Sequence, residues 1–139
     1  MNKNNNKFSF IFSSIIVIGV AIFLVILFRS INKETKIDLN DNYFEVKGLY
    51  GANFNYDDVT LIELKDTLPE VTYKTNGADF GEAKKGNFDV SGLGNCKLYI
   101  LTKNGPFIYL KINDKYVIIN YRDKNKTEQL YNGLSAHMK

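Results

Sequence analysis

A single cysteine, Cys96, and a single histidine, His137, are all that this 139-residue chain offers toward disulfide or soft-metal chemistry. One thiol cannot close an intramolecular disulfide, so the fold must be held by its apolar core. A metal site usually needs two or more such ligands at suitable spacing, and the sequence does not supply them. Cys96 reads as a small apolar residue of a strand, and His137 as a protruding tail residue. No metal and no cofactor is expected. Acidic residues are missing before residue 30, and charge of either sign is missing from Phe8 to Phe28, FSFIFSSIIVIGVAIFLVILF.

That uncharged run lies between Lys7 and Arg29. As a helix its 21 residues extend about 31 Å, the thickness of a bilayer's hydrocarbon core. It lacks the polar stripe of a surface helix in a soluble protein. The run is longer than the apolar core of a cleavable signal, no A-x-A pattern follows it, and no cysteine near its end can take a lipid. An uncleaved signal anchor is the reading, with cleavage as the alternative. Orientation is close to a tie. Lys3 and Lys7 stand on one side, Arg29, Lys33 and Lys36 on the other. The short N-terminal tail leans the domain toward the outside of the cell membrane, and the basic cluster after the run argues the reverse.

The net charge of +3 belongs to the ends of this segment. Lys3, Lys7 and Arg29 account for it; from Ser30 onward fifteen Lys+Arg face fifteen Asp+Glu. The remainder therefore has no overall basic field of the kind that favours nucleic acid, and no nucleic-acid partner is expected. The organisation expected is a polar tail (1–7), a transmembrane anchor (8–28), a tether (29–40), one compact domain (41–136) and a short tail (137–139).

From Asn42 to Asp123 the chain holds eight of nine tyrosines and five of ten phenylalanines, residues that suit pleated, half-buried surfaces. Alternation predicts strands over Tyr43–Lys47, Leu49–Tyr56 and Val59–Leu64, then an irregular loop over Lys65–Tyr73. Glycines divide the next part into short strands near Phe80–Ala83 and Asn87–Val90. Strands follow at Cys96–Thr102, Phe107–Ile112 and Tyr116–Asn120, the last two joined as a hairpin through Asn113-Asp114. The periodicity then changes. Asn125 and Glu128 are spaced as a capping box, and Leu130, Leu134 and Met138, with Tyr131, form one apolar helical stripe.

Six or seven short antiparallel strands and one C-terminal helix suit a strongly bent sheet whose open end the helix plugs. The predicted class is mainly β: a PH-like bent barrel or sandwich of about seven antiparallel strands, capped by a C-terminal helix and preceded by one transmembrane helix. The segments GLYGANFNYDDVTLIELKDTLP, TYKTNGADFGEAKKGNF, GLGNCKLYI and PFIYLKINDKYVIINYRDKNKTEQLY resemble the small membrane-anchored bacterial PH-domain proteins of Firmicutes. The resemblance runs over about residues 43–134 and implies a fold and a membrane setting. It carries no catalytic residues.

Candidate sites are few. Lys84 and Lys85, with Lys74 nearby in sequence, are candidates for lipid headgroup binding, against the alternative of a solvated turn. Phosphoinositide-binding PH domains place their basic cluster in the first hairpin, which here is Lys47-Gly48-Leu49. Asp57, Asp58 and Glu63 are the candidates for an acid/base set, against turn stabilisation. The glycines between Gly77 and Gly94 match no phosphate-binding pattern and suit bends in a curved sheet. The function expected is a non-catalytic binding or assembly module, held at the bilayer by its anchor and taking a protein or peptide partner at a sheet edge or beside the C-terminal helix. The alternatives are self-immunity or envelope-stress protection against membrane-active peptides, and an uncharacterised envelope enzyme.

Overall fold

The computed structural model describes residues 3–138 and divides the chain into two units, Met1–Ser30 and Ile31–Lys139. The first unit is the body of helix α1, which spans Lys3–Asn32. Its apolar side chains point outward around the whole circumference, with Phe10 76% and Val17 66% exposed. Water does not tolerate such a surface over this length, and a bilayer does. One helix here is thus long and apolar enough to cross a membrane.

The second unit is mainly β. Strands β1 (Ile37–Leu39), β2 (Tyr43–Val46) and β3 (Ala52–Asn55) form a three-stranded antiparallel sheet. A single 3-10 turn, Tyr56–Asp58, leads into β4 (Val59–Lys65), β5 (Val71–Phe80), β6 (Ala83–Val90), β7 (Gly94–Ile100), β8 (Phe107–Ile112) and β9 (Lys115–Ile119). These six make a second sheet in the order β4-β8-β9-β7-β6-β5. Every neighbour in it is antiparallel except β7 and β9, which run parallel with Leu98 opposite Ile118. Helix α2 (Lys124–His137) completes the unit.

The class is the expected one, but nine strands with one parallel pair, β7 and β9, stand in place of about seven antiparallel ones, and four local details differ. Ile37–Leu39 pairs with β2 as a strand, so the polar stretch after the apolar run is not all free chain. The segment Lys65–Tyr73 is not all loop, because β5 begins at Val71. Phe80–Ala83 is a turn, through Gly81 at φ 60°, and Gly77 and Gly86 on either side of it lie inside one long β5–β6 hairpin. Asp123, not Asn125, caps α2: its Oδ1 accepts from the Asn125 N–H at 2.9 Å. Nine strands result among the described residues.

Two glycines explain why the hairpin bends without breaking. Gly77 and Gly86 face each other across it, and a Cβ on Gly86 would stand 2.5 Å from the Asn76 carbonyl oxygen. Gly86 also has φ 116°, a region that side-chain-bearing residues avoid. The three bulges in the large sheet share another device. Thr60, Thr72 and Thr75 are each the extra residue in their strand. Each donates its hydroxyl to a carbonyl of the neighbouring strand, that of Lys111, Asp89 and Asn87 respectively, at 3.1–3.3 Å. The side chain thereby supplies a cross-strand bond where the ladder is interrupted.

The core has two parts, one on each face of the large sheet. Ile108, Leu110 and Ile112 of β8 point to a cluster with Phe44, Val46, Tyr99 and Leu134, while Phe107 and Tyr109 point to another with Phe88, Cys96, Leu98 and Ile118. Burial on both faces is why FIYLKI and YVII read as near-continuous apolar runs. On the helix, Leu134 is fully buried, and Leu130, Tyr131 and Met138 pack against the first cluster. The apolar stripe read from the sequence is therefore the face that closes the barrel.

Candidate functional site

The residues that follow the apolar run are held down one after another. Arg122, just before α2, donates from both guanidinium nitrogens to Asn32, to its carbonyl at 2.9 Å and its side-chain oxygen at 3.1 Å. Lys85 Nζ donates to the Lys33 carbonyl at 2.7 Å. Lys126 reaches both carboxylate oxygens of Glu34, the Tyr121 hydroxyl donates to the Thr35 carbonyl at 2.8 Å, and the Lys47 N–H donates to the Lys36 carbonyl. Donors from the end of β2, from β6, from the loop before α2 and from α2 itself thus collect carbonyls and one carboxylate of five consecutive residues. A flexible tether would leave those groups to water.

Lys85 is the least ordinary member of this collar. It is only 4% exposed, and burial together with the charges of Arg122 and Lys33 lowers its pKa from 10.5 to about 8. Tyr121 is pushed up to about 12, by burial first and by the Glu34 charge second.

The three candidate lysines do not converge. Lys84 and Lys85 are successive residues of β6 and point to opposite sides. Lys84 pairs with Asp79 at 2.7 Å, Lys85 turns inward to the backbone of Lys33, and Lys74 lies exposed on β5 opposite Phe88. The candidate carboxylates are dispersed in role as well. Asp58 accepts from the Asn55 side chain, Glu63 pairs with Lys65, and Asp57 faces a hollow beside α2. Cys96 sits buried in β7, where burial, helped by the Asp89 charge, raises its thiol to about 11, so it carries no thiolate at neutral pH.

The hollow beside α2 encloses about 270 Å³. Buried or half-buried Tyr56, Val59, His137 and Met138 line it, with exposed Asp41, Asn42 and Asp57. Here the expectation for His137 needs correction. It is the last residue of α2, and its ring stacks on Tyr56 with centroids 4.7 Å apart while Nδ1 lies 2.9 Å from the Gly133 carbonyl. The helix thus runs one residue past the expected domain bound at 136. Tyr56 is 93% buried, and its hydroxyl has no hydrogen-bond partner. Sequence reasoning missed this hollow because its walls come from residues 41–59 and 137–138, which meet only through the fold. Among the described residues no group of three or more His, Cys, Asp or Glu is placed to hold a metal ion.

A bent, mainly β domain closed by one C-terminal helix is the architecture of a PH-like module. The family model described as Bacterial PH domain matches residues 35–134, and the chain belongs to that family. The match begins at Thr35, inside the collar, so the family's domain includes β1. No curated protein and no solved structure matches the chain.

Proposed function

We propose that this chain is a single-pass membrane protein that presents a PH-like domain as a non-catalytic binding or assembly module, with a protein or peptide as its ligand. The observation that carries the reading is the collar. Its first clamped residue, Asn32, comes only four residues after the end of the apolar run, so little free chain separates that run from the first bonds of the domain. The ligand docks in the hollow beside α2. Aromatic and apolar walls with two carboxylates, Asp41 and Asp57, suit a basic side chain, and Tyr56 there has hydrogen-bonding capacity to spare. Lys3 and Lys7 on the cytoplasmic side put the domain outside.

The test is co-purification of the full chain from its membrane, with partners identified by mass, beside a variant carrying Asp41→Lys and Asp57→Lys. A partner retained by the wild type and lost from the variant supports the proposal. Equal capture by both rules out the hollow, and turnover of any substrate by the pure protein rules out the binding-only reading. Protease added to intact cells should remove the domain; protection would reverse the orientation.

A further inference from the structure

Strand β5 forms one edge of the large sheet, with no strand beyond it among the described residues. It is ten residues long, contains no proline, and carries Tyr73 66% exposed and Phe80 51% exposed. Long edges of this kind are templates for another strand.

The register against β6 shows a hidden two-fold order along this edge. Gly77 lies opposite Gly86. Lys74 and Asp79 lie opposite Phe88 and Lys84, two places to either side of Gly86. Tyr73 and Phe80 lie opposite Asp89 and Ala83, three places to either side. The bulge at Thr75 creates this symmetry. Seven residues apart, Tyr73 and Phe80 would face opposite sides of a regular strand, and the one extra residue returns them to the same side. Lys74 and Asp79 are brought to a common face in the same way.

We propose that the outer edge of β5 pairs antiparallel with β5 of a second copy of this chain, about a two-fold axis at Gly77. Tyr73 then lies opposite the partner's Phe80, and Phe80 opposite the partner's Tyr73. On the other face Lys74 meets the partner's Asp79, and Asp79 the partner's Lys74. Charge selects the occupant: one cation and one anion stand at mirror-related positions, so the same strand reversed sets opposite charges together twice and rings together twice. Asp79, already bonded to Lys84 at 2.7 Å, becomes the centre of a row of three alternating charges. Anchoring in one membrane plane raises the concentration at which copies meet. The inference stands apart from the hollow beside α2 and uses none of its residues.

The experiment measures self-association of the full chain in detergent micelles by analytical ultracentrifugation, with thermal unfolding as the fold control. The wild type should dimerise. Lys74→Glu and Asp79→Lys should each weaken the dimer by about tenfold or more, because each sets like charges together at both crossings. An equimolar mixture of the two variants should restore the wild-type affinity, since each copy then meets the opposite charge twice. A wild type that stays monomeric overturns the proposal, as do single variants that dimerise like the wild type or a mixture that fails to recover. Should Asp79→Lys unfold, Lys74→Glu alone decides: undiminished dimerisation refutes this interface.

Discussion

Replacing Gly86 by alanine tests the geometry on which the β5–β6 hairpin depends. Two separate costs arise. At φ 116° an alanine is held in a sparsely populated region, which costs about 1–3 kcal/mol. Its Cβ would also stand 2.5 Å from the Asn76 oxygen and 2.6 Å from the Gly77 Cα, both backbone atoms of the facing strand, so the hairpin must open to admit it. Overpacking of that kind adds about 1–3 kcal/mol. The sum is about 2–6 kcal/mol. Gly92→Ala is the control, since Gly92 also has positive φ, 76°, yet a Cβ there meets nothing within 4 Å. Its cost should be the conformational one alone, about 1 kcal/mol. For a domain of this size the two variants should melt about 10–20 °C apart, with Gly86→Ala the lower. Thermal unfolding of the full chain in detergent, followed by near-ultraviolet circular dichroism, reads the difference. Equal melting points would mean that β5 and β6 do not cross closely at Gly77 and Gly86.

Three further outcomes are expected. Leu134→Ala empties the centre of the helix face and should destabilise the domain by about 2–5 kcal/mol in denaturant titration, whereas a loss under 1 kcal/mol would detach α2 from the core. Arg122→Ala removes both bonds to Asn32 and should cost about 1 kcal/mol or less, because the guanidinium is exposed. It should speed amide exchange over Lys33–Lys36 while leaving β7–β9 protected, and unchanged exchange would refute the collar. For Lys85 the folded pKa of about 8 lies below the ordinary 10.5, so between those values the unfolded chain holds more protons and stability rises with pH. Relative to Lys85→Met, the wild type should gain on the order of 2 kcal/mol from pH 8 to 10.5, and a flat difference would place the ammonium in water.

The sequence was legible where one rule governed a segment. Phe107–Ile112 and Lys115–Ile119 are runs dominated by burial, and Asn113-Asp114 takes positive φ at both residues, as a two-residue hairpin turn requires. It was illegible where two rules competed. Gly77 and Gly86 look like breaks because glycine weakens a strand, yet they are where two strands pass too close for a side chain. Thr72 and Thr75 look like ordinary strand residues, and nothing local says that their hydroxyls will bond across a bulge. The collar was invisible for a different reason. Its acceptors are backbone carbonyls, which every residue has, and its donors Lys85, Tyr121 and Arg122 lie far along the chain. Read alone, Lys85 was a headgroup candidate on a turn; the fold turns it onto Lys33.

The position of β9 has a consequence for how the protein comes into being. The strand is next to last among the elements in chain order, yet it lies in the middle of the large sheet, between β8 and β7. Until it arrives, β4 and β8 have nothing to join them to β7, β6 and β5, and both halves show bare edges. Helix α1 is the first of the described elements in chain order, and the keystone strand is the next to last. The large sheet can therefore close only when nearly all of the described chain is in place, and until then its two halves remain parts of an open chain.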